Sequence, residues 1–354
     1  MDQATLEVRN RPNVNDKAAI ELVNILYGFK VISIRELNGY DDKNLRIKCL
    51  EEDFDNPHVE SVEKDGYVLK IMNSLDSKNI SLVEGQNAMM LYLHQQSVSC
   101  PIPVMNSKGS YYSLEDLGEG KNNKNVIRLL VYRPGEILYN LEPSDALLRD
   151  VGRFSADLDE KLKGFSNSSL KSRDFIWMLF SIPKLRDYTY VIKDHRDRIL
   201  VEKVIVRFET SVLDNIDHFE MGMIHGDINE QNLLVDSDHQ TISGIIDFGD
   251  SQYSCLIFEL IIALCYMIIQ VKDIERGRHV IHGYLSVKKI TELERKILKI
   301  GVCARLCQSL VMGAYSHLNN PKNDYVIVTA ANGWKILREL WIMDEEAVFK
   351  MWGI

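Results

Sequence analysis

The sequence predicts an α+β protein in two lobes, a small strand-rich N-terminal lobe over 1–130 and a larger, mainly helical C-terminal lobe over 131–354. Three observations carry this. A chain of 354 residues is longer than one minimal core needs. Strand-like stretches at 31–37, 45–50, 67–71, 111–117 and 125–131 follow a helical pattern at 16–27 and flank another at 80–95. Beyond Pro134-Gly135 the apolar residues recur mostly at helical spacing, interrupted by one short hairpin pattern after position 232.

Taken in order, Asp16 can cap a helix running to 27, with Ile20, Val23 and Leu26 on one face, and Gly28 ends it. The strands at 31–37 and 45–50 flank 38–44, rich in Asn, Gly and Asp. Such a tip can fold over the phosphates of a nucleotide, with Tyr40 and Asn44 as contacts. Without a G-x-G-x-x-G pattern it can equally be an ordinary hairpin turn. The charged stretch 51–64 contains Pro57 and reads as a loop.

Residues 67–71, Tyr-Val-Leu-Lys-Ile, alternate as a strand that places Lys70 opposite Leu69. A lysine framed by apolar strand residues ahead of a helix fits one that contacts nucleotide phosphates, the plainer reading being an exposed sheet lysine. The helix at 80–95 carries Glu84 and Gln86, which lie about 200° apart around its axis, so only one can face Lys70. Glu84 is expected, because a charge is the stronger partner for an ammonium.

Pro101 and Pro103 end that region, and 127–135 passes from a buried strand into a Pro-Gly turn. A hinge is expected there, with backbone groups of Leu130, Val131 and Tyr132 reading a purine edge. Helices follow at 143–164, 175–179, 201–216, 255–270, 292–315 and 325–341. Trp177, Arg305, Tyr315 and Trp334 are candidates to line a substrate pocket, although each is of a type that more often serves packing.

The densest chemistry lies at 224–250: Ile-His-Gly-Asp-Ile-Asn-Glu-Gln-Asn-Leu-Leu-Val, a polar turn, then Ser-Gly-Ile-Ile-Asp-Phe-Gly-Asp. Phosphoryl transfer requires a carboxylate to accept the proton of the attacking hydroxyl, and oxygen ligands for the magnesium that neutralises the phosphates. Asp227 followed at the fifth position by Asn232 has the spacing of such a base and metal-binding Asn, and Asp247-Phe248-Gly249 has the form of the second metal element. Gly226 removes side-chain bulk just before the base. A hairpin formed by 233–235 and 243–246 around Asp236-Ser237-Asp238 would bring Asn232 and Asp247 to one end. Magnesium takes few protein carboxylates and completes its shell with phosphate and water, which suits that pair. Chance co-occurrence is the bland alternative. A lone H-G-D-x-x-x-x-N carries that risk, and D-F-G at the right distance reduces it. The expectation is a small-molecule kinase.

Composition agrees. The net charge of −9 argues against nucleic acid or an anionic membrane as the main partner and suits a cationic substrate. Six cysteines form no C-x-x-C pair; Cys303 and Cys307 share a helix face and read as buried thiols rather than a zinc pair. Reduced cysteines suit a cytoplasmic protein. Residues 1–15 are polar, so no secretory signal is expected. The longest apolar run, 256–269, is interrupted by Glu259 and is too short to span a bilayer.

Taken together, His225-Gly-Asp-Ile-Asn-Glu-Gln-Asn232, Ile245-Ile-Asp-Phe-Gly-Asp250, Val68-Leu-Lys-Ile71 and Leu130-Val-Tyr-Arg-Pro-Gly135 resemble the aminoglycoside phosphotransferase/choline kinase family over nearly the whole chain. The resemblance implies a bilobal protein-kinase-like fold. It also implies Asp227 as base, Asn232 and Asp247 as Mg2+ ligands, and Lys70 on the phosphates of a purine nucleotide. The stretches 39–44, 174–177, 307–315 and 324–334 resemble one member of the family more closely. They imply transfer of the γ-phosphate of GTP, with ATP as the alternative donor, to the hydroxyl of 5-hydroxy-L-lysine in lysine catabolism. An amino-acid substrate needs acidic and basic partners. Asp41-Asp42 with Arg305 or Arg133 are candidates, beside Asp250 and Trp334. Asp250 could equally stand among the groups around the metal. The wider family commonly has Asp where this chain has Glu259, and a Leu-His pair where it has Leu158-Asp159; neither departure is expected to touch the chemical core.

Three alternatives stay open. One is a kinase for another amino alcohol or an aminoglycoside. The second is a non-catalytic kinase-like binding module, which would usually lack the base, the lysine or the metal ligand. The third is a protein kinase, against which stand the missing glycine-rich loop and the missing A-P-E element after D-F-G.

Overall fold

The computed structural model describes residues 11–39, 41–118, 124–319 and 330–354. It divides into two compact units, Met1–Pro134 and Gly135–Ile354, the break falling at the Pro-Gly turn slightly beyond the expected 130/131.

The first unit is a sheet with a helix packed on its core. In α1 (Asp16–Tyr27) the cap is Asn15 rather than Asp16: its side chain accepts from Ala18 N at 2.9 Å. Asp16 instead sits in the first turn, where a carboxylate meets the positive end of the helix. Gly28 closes the helix at φ +66°, and a Cβ there would lie 1.9 Å from Asp55 O. Then come β1 (Phe29–Leu37), β2 (Lys43–Phe54), β3 (Tyr67–Ile71), α2 (Ile80–Gln95), β4 (Pro103–Val104), β5 (Ser113–Asp116) and β6 (Lys124–Val131). The strands form a six-stranded antiparallel sheet in the order β1-β2-β3-β6-β4, with β5 also on β6. β2 continues into the charged stretch expected as loop, because β1 still pairs with it as far as Phe29↔Phe54 and the two rings meet edge-on at 6.0 Å. Ala19, Val23, Leu26 and Tyr27 of α1 pack with Leu45, Ile47, Leu69, Ile71 and Leu129 of the sheet. Burial of each large aliphatic contributes about 1.5–3 kcal/mol.

The second unit comprises β7 (Glu136–Ile137), α3 (Asp145–Leu162), α4 (Ser168–Lys171), α5 (His195–Ser211), β8 (Met221–Ile224), β9 (Leu233–Val235), β10 (Ile242–Ile245) and β11 (Gln252–Cys255). After these come α6 (Ile257–Val271), α7 (Gly277–Leu285), α8 (Glu292–Asn319), α9 (Ala330–Ile342) and α10 (Glu345–Trp352). The short helix expected at 175–179 does not form; the chain makes 3-10 turns over Leu179–Val191 with Pro183 inside. Proline there withholds an N–H and blocks a regular α-helix. The helices α7 and α10 were not expected from the sequence. Part of the helix expected at 325–341 lies outside the described residues.

Two helix pairs centre this unit. α3 and α7 pack at backbone distance: a Cβ on Gly152 would lie 1.8 Å from Val280 O, and one on Gly283 would lie 1.8 Å from Arg149 O. α6, buried nearly all round, packs on α8. Among the described residues α8 is the helix long and apolar enough to cross a membrane. However, 89% of its apolar window is buried in the fold, so the core accounts for its composition. All six cysteines are free and buried, and burial raises the thiols, Cys303 to about 12. They are packing groups.

Candidate active site

The loop from β8 to β9 is built around a glycine. Gly226 has φ +80°, and a Cβ on it would lie 2.7 Å from Asp250 O and 2.8 Å from Gln252 Nε2. The backbone can therefore turn there only without a side chain. The turn is fixed from below by His225, fully buried. Its Nε2–H donates to Ile246 O at 3.2 Å and its Nδ1 accepts from Asp227 N at 3.3 Å. That network requires the neutral ring, and burial lowers the His225 pKa to about 4.

β9 and β10 form the expected hairpin, in register at Leu233↔Ile245. Ile246 N donates to Asn232 O at 2.9 Å, so Asn232 and Asp247 leave the paired strands at the same end. Asp247 adopts φ +60°, its carboxylate accepts from Gly249 N at 3.0 Å, and its side chain is exposed. Asn232 Nδ2 donates to Asp227 Oδ2 at 2.8 Å and to Asp227 O at 3.0 Å. The amide oxygen is thereby left for a hard cation. One carboxylate and one amide oxygen suit a cation whose remaining ligands are phosphate and water, so the donor set fits magnesium. Among the described residues there is no cluster of three or more His, Cys, Asp or Glu of the kind that cages a structural metal.

Asp227 is 23% exposed and held at both oxygens: Oδ2 by Asn232, and Oδ1 by Arg305 Nη2 at 3.1 Å. Enclosure raises its pKa, the Arg305 guanidinium opposes this, and the Asp247 carboxylate adds to it. Asp250 is raised to about 7 by burial and by the neighbouring Asp227, against Arg173 and Arg305. Arg173 lies over the Phe175 ring at 3.7 Å and donates to Ser251 O at 3.0 Å. The structure thus brings together Asp227, Asn232, Asp247, Asp250 and Arg305 of the residues singled out in the sequence.

Arg305 is not open to a substrate carboxylate as expected. It is 1% exposed, with Nη1 donating to Trp177 O at 3.0 Å and Gln308 Oε1 at 2.8 Å. Glu259 also corrects an expectation. From α6 its carboxylate accepts from His225 N at 2.5 Å and Gly226 N at 3.1 Å, so this departure bears directly on the loop that carries Asp227. Burial raises its pKa to about 7, against those two hydrogen bonds. Asp159 is fully buried, accepts from Tyr284 OH at 2.8 Å, and is raised well above the carboxylate range by burial and by Glu259. No sequence motif pointed to either contact, because one joins α6 to the loop after β8 and the other joins α7 to α3, across 34 and 125 residues of chain.

Within the first unit, Lys70 is buried and its ammonium pairs with Asp42 Oδ2 at 3.2 Å. Asp42 Oδ1 accepts from Asn73 N at 2.9 Å and Asn73 Nδ2 at 3.0 Å. Asp42, expected to meet substrate, is therefore committed to the lysine. Glu84 is exposed, with Tyr112 OH at 3.5 Å, and does not face Lys70. The buried face of α2 presents Gln86 and Asn87, which accept from Arg128 at 2.9 Å and 3.2 Å. Asn44, Lys70 and Arg128 stand side by side across β2, β3 and β6. Asn44 also donates to Asn38 O at 3.0 Å.

The stretch expected to be a hinge differs in part from expectation. Val131 N donates to Ile102 O at 2.8 Å and Tyr132 N to Gly66 O at 3.0 Å, so these two N–H groups serve the unit itself; Leu130 pairs with Val68 and Pro103. Arg133 donates to Cys100 O at 2.5 Å. Trp334 stands beside Arg338 at 5.9 Å, and Arg338 is bonded to Asp197 of α5; this is a separate cluster from that of Asp227. Tyr40 lies outside the described residues.

The fold and this loop-and-hairpin arrangement are those of a phosphotransferase: the model of the phosphotransferase enzyme family matches residues 46–294. The chain belongs to that family. It is 36% identical to hydroxylysine kinase of Xenopus laevis, over 97% of this chain and 94% of that protein. It is 35% identical to hydroxylysine kinase of Bos taurus, over 97% and 93%. Among solved structures it resembles a microcompartment-associated aminopropanol kinase, with a TM-score of 0.71, 16% identity, and coverage of 92% of this chain and 98% of that one. At that identity the likeness is one of fold.

Proposed function

We propose that this chain is a kinase that transfers the γ-phosphate of GTP to the hydroxyl of 5-hydroxy-L-lysine, giving 5-phosphohydroxylysine for lysine catabolism in the cytoplasm. The substrate reading is carried by one observation, the 36% identity to the Xenopus laevis hydroxylysine kinase over 97% of the chain. The chemistry is supported by the geometry at Asp227.

Each side chain has a role that its surroundings suit. The substrate hydroxyl donates to the Asp227 carboxylate, which orients it and accepts its proton late, as a loose transition state requires. Asn232 holds that carboxylate through its amide nitrogen and, with Asp247, would hold Mg2+, whose chemistry is to neutralise charge on the phosphates. Lys70, kept in place by Asp42, steadies the nucleotide phosphates beside Asn44. Asp250, the remaining carboxyl of the cluster, suits a substrate ammonium. GTP is assigned as donor and ATP as the poorer one.

The test is phosphate transfer from GTP and from ATP to 5-hydroxylysine, lysine and ethanolamine. Transfer from GTP to 5-hydroxylysine, with none to lysine, is expected. Equal transfer to ethanolamine would favour a general amino-alcohol kinase, and no transfer to any hydroxyl would remove the enzymatic reading.

A further inference from the structure

We infer that Arg305 is a positioning residue for the base: from α8 it holds Asp227 Oδ1 so that the carboxylate stands in one orientation for the incoming hydroxyl. The inference rests on the kinase reading above and adds a residue that no motif marks.

The support is geometric. Arg305 reaches Asp227 across 78 residues of sequence, Nη2 to Oδ1 at 3.1 Å. Its other arm is fixed independently, Nη1 donating to Trp177 O at 3.0 Å and Gln308 Oε1 at 2.8 Å. Gln308 is fully buried and is itself held, Nε2 donating to Ile176 O at 2.7 Å and Met178 O at 2.9 Å. The guanidinium also lies near the Trp177 and Tyr266 rings, at 5.4 Å and 5.3 Å. The fork cannot rotate without breaking contacts on two sides, so it acts as a fixed donor.

The carboxylate of Asp227 is consequently clamped at both ends, by Asn232 on Oδ2 and Arg305 on Oδ1. Rotation about its Cβ–Cγ bond would lose one charge-assisted and one amide hydrogen bond together. A base that must meet a hydroxyl at hydrogen-bond distance gains from this, since misplacement by about 1 Å can cost a hundredfold in rate. The same arginine ties the backbone at Trp177 to the base, so the 176–178 stretch is set beside the reacting carboxylate.

The test compares R305A and R305K with the wild-type chain, each also in a D227N background, using labelled GTP and 5-hydroxylysine. For R305A, kcat is expected to fall about 10²-fold with the KM for GTP little changed. Millimolar guanidinium should restore part of the loss. R305K should recover part of it too, because an ammonium keeps the charge but cannot fork. In the D227N background R305A should cost little more, as expected of residues that act as a unit. Wild-type kcat in R305A, or an equal loss with and without D227N, would overturn the inference. If R305A fails to fold, R305K decides: lowered kcat at unchanged KM for GTP supports the role, and wild-type kcat overturns it. An active wild type with an indifferent R305K sinks this inference alone. An inactive wild type sinks the kinase reading and the inference with it.

Discussion

Asn232 donates through one amide nitrogen to both the backbone carbonyl and the carboxylate of Asp227, at 3.0 Å and 2.8 Å, five residues back along the same loop. The i, i+5 spacing is therefore a physical linkage. In the proposed mechanism the residue that would present an oxygen to a cation is the same one that holds the Asp227 carboxylate, so one side chain would position both.

D227N removes the charged proton acceptor and puts an NH2 donor in place of one of the two oxygens that accept from Asn232 and Arg305, so one of those two bonds is lost with the charge. We expect kcat to fall by about 10²–10⁴-fold while nucleotide affinity stays within a few fold. Steady-state rates alongside a direct nucleotide-binding titration check this, and full activity in D227N would reassign the base.

D247A removes the carboxylate proposed to hold Mg2+, and its loss should show first in the cation. The Mg2+ concentration for half-maximal rate should rise by at least about tenfold, a loss near 1.4 kcal/mol. Chelation of divalent ions should abolish activity in the wild type, and re-addition of Mg2+ should restore it.

The Lys70–Asp42 pair replaces the expected Lys70–Glu84 pair, and the two predictions separate cleanly. D42A leaves a buried ammonium without its carboxylate, so the KM for the nucleotide should rise about tenfold, as the loss of a charge-assisted hydrogen bond implies. E84A, at an exposed carboxylate beside Tyr112, should change it by less than about twofold.

Gly152 and Gly283 let α3 and α7 touch through their backbones. G152A and G283A should each destabilise the fold by about 1–3 kcal/mol or more, because the added carbon meets a carbonyl oxygen rather than a side chain that can move. Chemical denaturation midpoints measure the loss; an unchanged midpoint would mean that the helices separate without cost.

Asp159 has its pKa raised by burial first and by Glu259 second, against Tyr284 OH and Lys288. A carboxyl with a raised folded pKa binds its proton more tightly in the fold than in the unfolded chain. Its contribution is therefore lost as pH rises from its ordinary 3.8 through the raised value. D159N, which keeps an acceptor for Tyr284, should stabilise the protein more at about pH 8 than at about pH 5. Thermal melts at the two values give the comparison, and an equal effect at both would show that Asp159 does not titrate between them.

What the sequence determined by itself is what local chemistry determines. Gly226 before Asp227, the fifth-position Asn232, the two short apolar runs around a polar turn and Asp247-Phe248-Gly249 all act within about twenty residues of one another. Their spacing alone brings them to one end of a hairpin. Strand β3 and helix α2 were legible for the same reason, as period and turn residues mark them. Tertiary structure alone decided which distant side chain answers each of these groups. Lys70 found Asp42 rather than Glu84, because α2 buries the face that carries Gln86 and Asn87. Glu259 reached the backbone at His225 and Gly226, and Arg305 reached the Asp227 carboxylate, from helices whose apolar periodicity is indistinguishable from ordinary core. A charge inside such a helix reads in sequence as an interruption. Only packing shows that it is a partner, since the energy of a buried charge depends on the group placed opposite it.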